Sequence, residues 1–143
     1  MSIARLIEGR SGADVVSCEA NTAMREAVAL LAEKRIGAIP VMRGGSVVGI
    51  FSERDVIYKL AQEGEVCLNR PLQEVMTDTP ITVEPSTLIN DALALMTRRR
   101  IRHLPVIDNG AMVAFISIGD LVKFRIDEVE HEAEAMREYI QTT

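Results

Sequence analysis

A serine followed three residues later by an aspartate occurs twice in this chain, each time behind a small residue and two apolar ones. The two motifs are Gly49-Ile50-Phe51-Ser52-Glu53-Arg54-Asp55 and Ala114-Phe115-Ile116-Ser117-Ile118-Gly119-Asp120. Each reads as the point where a strand ends and a helix begins. Two kinds of chemistry fit such a point. A Ser at the helix start with an acid in the first turn is a capping box, which satisfies orphan N–H groups and complements the helix dipole. The same arrangement presents N–H groups and a hydroxyl to a phosphate, and a carboxylate that can accept from both hydroxyls of a ribose. Local capping alone explains one such motif; its repetition, with the same lead-in, favours a pair of binding sites.

The motifs repeat because the chain repeats. Displaced by 65 positions, residues 16–59 fall on residues 81–124 without a gap. Ala27 meets Ala92, Leu30 meets Leu95, Ile36 meets Ile101, Pro40-Val41 meets Pro105-Val106, Gly45 meets Gly110, and Asp55 meets Asp120. A copy of about 60 residues buries too little surface to be comfortable alone, so the copies are expected to pair, with a pseudo-twofold cleft between them. The expected divisions are 1–62 for the first copy with an N-terminal helical turn, 63–70 for a polar linker, 71–126 for the second copy and 127–143 for a helical tail.

Each copy predicts strand, helix, strand, turn, strand, helix. In the first, Val15 to Cys18 is a strand, and Asn21 or Thr22 caps a helix with Ala23, Ala27, Leu30 and Leu31 inward. Gly37–Met42 and Ser46–Phe51 flank an Arg43-Gly44-Gly45 turn, and a helix follows over 53–62. In the second, Ile81 to Val83 is the strand, and Ser86 or Thr87 caps the helix carrying Ala92, Leu95 and Met96. Arg102–Ile107 and Ala111–Ile116 flank Asp108-Asn109-Gly110, where Asn-Gly is a strong hairpin signal. Ile3 to Ile7 and Pro71 to Met76 read as short turns that introduce the two copies.

The last helix, predicted over 119–139, carries Val122, Ile126, Val129, Ala133, Met136 and Ile140 in a narrow stripe of 4-3-4-3-4 spacing. Acidic residues crowd beside it: Asp127, Glu128, Glu130, Glu132 and Glu134. Such a stripe either folds back on its own domain or meets a second subunit, and the sequence leaves both open.

Composition narrows the function classes. Hydrophobic residues are 48% and charged ones 26%, a globular balance, while aromatics are 3% and the formal charge is −5. A stacking platform for single strands and a general DNA-binding face are therefore disfavoured. Cys18, read as a buried strand residue, and Cys67, read as a linker residue, have no C-x-x-C partner and suit a reducing cytoplasm. The opening Met1-Ser2-Ile3-Ala4-Arg5 lacks the apolar run of a signal peptide, and no stretch reaches the ~20 apolar residues of a membrane span. His103 and His131 are the only histidines, no nucleophile-elbow, phosphate-loop or zinc-protease motif is present, and no cluster has metal-ligand spacing. The expectation is a chain without catalytic residues or a metal, and not an enzyme.

The duplicated pattern, with Ile39-Pro40-Val41 and Leu104-Pro105-Val106 before the hairpins and the Ser-x-x-Asp helix starts after them, resembles a pair of CBS (cystathionine β-synthase) domains, as in stand-alone bacterial CBS-pair proteins. The resemblance covers nearly the whole chain. It implies an α+β fold of two β-α-β-β-α repeats packed through their sheets, here with an extended C-terminal helix. It also implies a regulatory module, not a catalyst, that binds an adenosine-containing ligand: AMP, ADP, ATP, S-adenosylmethionine, NAD(H) or a cyclic dinucleotide. It further implies pairing of two modules into a homodimer, and an output exerted in trans on an unknown protein.

Carried over by position, Asp55 and Asp120 match the family's ribose carboxylates, and Ser52 and Ser117 its phosphate- or ribose-contacting hydroxyls. Val15, Val16, Pro80 and Ile81, with Ile39, Pro40, Leu104 and Pro105, match the apolar walls around adenine. The family's basic residues before Pro-Val correspond to Arg102 and His103, where the first copy has Gly37 and Ala38, so the two sites should differ; Arg54 could add a further cation. Neighbouring residues on a strand face opposite ways, so only one of Arg102 and His103 is expected in a given cleft unless the strand is irregular. A cation there favours a phosphorylated ligand over the sulfonium of S-adenosylmethionine. The run Arg98-Arg99-Arg100 reads first as a solvated helix end, and nucleic-acid binding through it is the weakest alternative. The stronger competitor is a ligand-free interaction module whose Ser and Asp are only caps.

Overall fold

Periodic apolar positions close two separate cores in the computed structural model, which describes residues 1–142. The elements run α1 (Ile3–Leu6), β1 (Cys18–Glu19), α2 (Met24–Lys34), β2 (Ala38–Arg43), β3 (Ser46–Ser52) and α3 (Glu53–Glu63). They continue as α4 (Leu72–Val75), β4 (Thr77–Asp78), α5 (Ile89–Arg99), β5 (His103–Asp108), β6 (Ala111–Ser117) and α6 (Ile118–Thr142). Short 3₁₀ turns occupy Gly12–Asp14 and Gly64–Asn69. This is the α+β arrangement of two like repeats that the sequence predicts.

Each hairpin forms where the turn residues require it. Gly44 and Gly45 join β2 to β3, and Asn109 and Gly110 join β5 to β6; all four have positive φ, which these residue types tolerate. The registers match by the same offset of the sequence, Val41↔Gly49 and Val106↔Ala114, and an irregularity follows each of the two valines. On α2, Met24, Ala27 and Leu31 are buried; on α5, Ile89, Ala92 and Met96 are. Each set closes over its own hairpin, and β3 and β6 meet between the repeats.

The first strand of each repeat is shorter than predicted. Pairing with β2 is confined to Cys18↔Val41 and Glu19↔Met42, so Val15 and Val16 lie outside the sheet, and Cys18 is half-buried, not buried. In the second repeat only Val83 bridges Val106, and Ile81 and Thr82 stay unpaired. An unexpected strand takes up the space on the other side. β4 pairs antiparallel with β3 through Asp78↔Gly49 and Thr77↔Ile50. Gly49 makes this approach possible, because a Cβ there would lie 2.8 Å from the Thr77 carbonyl oxygen.

The capping residues also differ from expectation. Neither Asn21 nor Thr22 caps α2, and neither Ser86 nor Thr87 caps α5; the N-cap positions are Ala23 and Leu88, without a side-chain bond. Main chain from a distant segment does the work instead. Met24 N donates to Arg70 O (2.8 Å) and Ile89 N donates to Met1 O (2.9 Å). In return Leu72 N donates to Thr22 O and Ile3 N donates to Thr87 O, both 2.8 Å.

These bonds expose a reciprocal exchange. The segment before the first repeat packs on the second, where Ile3 is fully buried with Val83, Ile89, Leu104 and Ile116. The segment before the second repeat packs on the first, where Cys67, Leu72 and Val75 join Ala27, Ile39 and Phe51. The polar connection is thus held down by one buried thiol and by Arg70, which bonds Glu63 at 2.6 Å. The two repeats are stapled by each other's leading segments, so neither core is complete without the other.

Helix α6 is a single element from Ile118 to Thr142, with Leu121 buried at its root and every described residue beyond Glu128 exposed. Of the two fates the stripe allowed, folding back on its own domain does not occur. Thr143, the last residue of the expected tail, lies outside the described residues. Among the described residues no helix is long and apolar enough to cross a membrane.

Candidate functional site

Ser52 and Asp55 sit at the junction of β3 and α3 for a local reason. Ser52 Oγ accepts from Asp55 N (3.3 Å), and Asp55 Oδ2 accepts from Ser52 N (2.9 Å), a complete capping box. Ser117 and Asp120 repeat it at the root of α6, with Asp120 Oδ2 accepting from Ser117 N (2.9 Å) and Ser117 Oγ accepting from Asp120 N (3.1 Å). Capping is therefore real. It does not consume the carboxylates, since a carboxylate has about four acceptor positions. Both aspartates are half-buried and each faces a cleft.

The first cleft, about 530 Å³ in volume, opens between the start of α3, residues 77–81 and residues 100–103. It gathers Ser52, Arg54 and Asp55 from the first repeat with Pro80, Ile81, Arg102 and His103 from the second. Thr77 Oγ1 donates to the second oxygen of Asp55 at 3.1 Å. Arg54 reaches across the opening, its Nη1 3.5 Å from the carbonyl oxygen of Arg100 at the end of α5. Three arginines (54, 100 and 102) face two carboxylates (Glu53 and Asp55), so the cleft carries an excess of positive charge.

The second cleft, about 370 Å³, is its pseudo-symmetric counterpart. It brings Ser117 and Asp120 together with Val15 and Val16, and adds Arg10, Asp14 and Phe115. The offset of the repeat explains the difference in charge: Gly37 stands where Arg102 does, Gly119 where Arg54 does, and Asp14 where Thr79 does. One arginine now faces two carboxylates, and that arginine is committed, with Arg10 Nη1 3.8 Å from Asp120 Oδ2.

Arg102 and His103 both reach the first cleft, against the expectation from strand alternation. The reason is that β5 begins at His103, so Arg102 precedes the pleat. His103 lines both clefts and stacks on Phe115, with ring centroids 5.4 Å apart and 11° between planes. Burial pushes its pKa below the ordinary 6.5; Asp120 opposes the shift, Arg102 adds to it and Glu53 opposes it. The imidazole is thus neutral near pH 7, and the cationic role falls to the arginines.

The remaining expected wall residues lie elsewhere. Ile39 and Leu104 are fully buried in the two cores, and neither they nor Pro40 and Pro105 line either of these two clefts. Their strand positions are flanked on the cleft side by Ala38 and His103 instead. Arg10, Asp14, Thr77, Thr79 and Arg100 were missed as lining residues. Extending the 65-residue offset two positions before Val16 would have paired Asp14 with Thr79, but the 3₁₀ turn and β4 that aim these segments have no local signature.

Comparison with known proteins fits this geometry. The sequence profile described as the CBS domain matches residues 11–62 and again 72–127. A mitochondrial CBS domain-containing protein of Arabidopsis thaliana is 33% identical over 129 residues, covering 87% of this chain; the chain spans 63% of that relative's length. A CBS-domain containing protein from Agrobacterium tumefaciens is similar in structure, with a TM-score of 0.81 and 34% identity over 87% of this chain and 99% of that one. A CBS-pair protein of Arabidopsis thaliana solved in complex with AMP has a TM-score of 0.75 at 23% identity, covering 88% of this chain and 96% of its own.

Proposed function

Since the chain belongs to the CBS-domain family, with two copies of the domain filling most of its length, we propose that it is a regulatory module whose first cleft takes a phosphorylated adenosine ligand. AMP, ADP, ATP and NAD(H) are the candidates. Asp55 accepts from the ribose hydroxyls, Ser52 and the start of α3 meet phosphate or ribose, and Arg54, Arg100 and Arg102 neutralise phosphate. Pro80 and Ile81 give the base an apolar wall. The observation that carries this reading is the convergence of three arginines on the cleft that holds Asp55. A monophosphate bears close to two negative charges at neutral pH, and guanidinium groups match its oxygens in geometry as well as charge. The AMP held by the structural neighbour is of this chemical class.

The second cleft is the poorer phosphate site, because Asp14 and Asp120 outnumber Arg10 there. An adenosine ligand without phosphate suits it better. S-adenosylmethionine is disfavoured in the first cleft, where its sulfonium would face the arginines. A ligand seated across residues of both repeats ties them together, and the resulting bias in their geometry is the signal passed in trans to a partner protein. The module regulates; it does not catalyse.

Calorimetric titration with AMP, ATP, NADH and S-adenosylmethionine tests the proposal. A ligand present at 100 times its dissociation constant stabilises the folded state by about 2.7 kcal/mol and raises the melting temperature accordingly. AMP, ATP or NADH is expected to do so, with S-adenosylmethionine weaker. If none binds at millimolar concentration, the chain is a ligand-free interaction module and its Ser-x-x-Asp pairs are caps alone.

A further inference from the structure

The two clefts are walled by segments that correspond in sequence and differ in how they are held. At the first cleft, Thr77 and Asp78 ladder onto Ile50 and Gly49, and Thr77 Oγ1 donates to Asp55 (3.1 Å). At the second, the 65-residue offset puts Gly12 and Ala13 in their place, and Ala114 in place of Gly49. Gly49 admits the ladder because it has no Cβ. Ala114 has one, so the same approach to β6 is closed. The chain instead turns through the 3₁₀ segment Gly12–Asp14 and rests on β6 at another point, where a Cβ on Gly12 would lie 2.5 Å from the Met112 carbonyl oxygen.

The second segment is also slack. Thirteen positions separate Ile3 from Val16, but nine separate Leu72 from Ile81, the corresponding stretch. Gly9 sits in the surplus with a φ of 80°. Among the described residues, the backbone hydrogen bonds of residues 8–15 all close within residues 5–15, and none reaches the sheet. The segment nevertheless supplies Arg10, Asp14 and Val15 to the second cleft. One charged contact holds it there: Arg10 Nη1 lies 3.8 Å from Asp120 Oδ2, with the side chains 41% and 36% exposed. An ion pair so open to solvent is weak. It still occupies the carboxylate that a ribose would need.

We propose that residues 8–15 are a strap latched over the second cleft by Arg10, and that a neutral nucleoside opens it by taking Asp120 for its ribose hydroxyls. The first cleft has no such gate, because its strap is laddered into β3 and its Asp55 is bonded by a neutral hydroxyl. The choice of a nucleoside rests on the proposed preference of the second cleft for an adenosine ligand without phosphate; the latch does not.

Hydrogen exchange of the ligand-free chain and calorimetry with adenosine test the two halves separately. Peptides covering 8–15 should exchange at least about tenfold faster than those covering 76–79. Gly49→Ala drives a Cβ against Thr77 and should bring 76–79 up to the rate of the strap. Adenosine is titrated into Asp55→Ala, whose first cleft is blunted. Adding Arg10→Gln should tighten adenosine about threefold, the size an exposed ion pair allows. Raising the salt concentration should tighten it in the chain that keeps Arg10 and not in Arg10→Gln, because screening loosens the latch. Equal protection of 8–15 and 76–79 overturns the strap whatever binds. Adenosine binding weakened by Arg10→Gln overturns the latch, since Arg10 is then a ligand contact. Adenosine that binds neither chain, with 8–15 still exchanging fast, sinks the nucleoside reading of the cleft and the proposal with it.

Discussion

Replacement of Asp55 separates its two duties, because the structure assigns a cost to each. Asp55→Ala removes the acceptor for Ser52 N at 2.9 Å and for Thr77 Oγ1 at 3.1 Å. Loss of a cap and of one exposed hydrogen bond costs about 1–2 kcal/mol, or roughly 3–6 °C in melting temperature for a chain of this size. If Asp55 also accepts from both ribose hydroxyls, two charge-assisted bonds vanish with it. At about 1.5 kcal/mol each, AMP affinity should fall on the order of 100-fold. Asp120→Ala gives up a matching bond to Ser117 N at 2.9 Å and the contact with Arg10, so it should cost similar stability. It should leave AMP affinity within a few-fold of wild type, because the phosphorylated ligand belongs to the first cleft. Asp55→Asn keeps an acceptor for the cap but loses the charge, and should recover most of the stability while still weakening AMP about tenfold. Thermal melting without ligand and calorimetry with AMP read the two effects separately. The reasoning fails if Asp55→Ala binds AMP as wild type does, or if Asp120→Ala loses AMP instead.

Arg102→Gln should reduce AMP affinity about tenfold and leave adenosine affinity unchanged, since only phosphate draws on the guanidinium; equal losses for both ligands would place Arg102 outside the phosphate contact. His103 carries a pH dependence. Its pKa is depressed by burial, so the unfolded chain takes up a proton near pH 6.5 while the folded chain takes it up only at lower pH, and stability must fall as pH drops through that window. Urea denaturation across roughly pH 5 to 8 should show this component in the wild type and not in His103→Gln; a wild-type component of opposite sign would contradict the burial argument. Ile3→Ala empties a fully buried position in the second core. It should cost about 2–4 kcal/mol, with the loss of hydrogen-exchange protection concentrated around Ile89 and Ala92, not in the first repeat that follows Ile3 in sequence.

The sequence by itself determined the repeat and what lies inside each copy. Ala27 and Ala92 face inward because helical spacing puts them there, Asn109-Gly110 turns because both residues accept positive φ, and Ser52 with Asp55 starts a helix because a hydroxyl and a carboxylate three residues apart satisfy its N–H groups. These are consequences of neighbours within a few positions, so they can be read in one dimension. Tertiary structure alone decided the exchange of Ile3 and Leu72 between cores, the capping of α2 and α5 by the main chain of Arg70 and Met1, and the two-residue strand at Thr77. It also decided that Arg54, Arg100 and Arg102 share one cleft while Asp14 and Arg10 share the other. Those outcomes depend on which segments meet at long range, from 27 residues apart for Ile50 and Thr77 to 88 for Met1 and Ile89. Two-residue strands and single 3₁₀ turns have no period to announce them, and they exist because a partner is already in place to receive their hydrogen bonds.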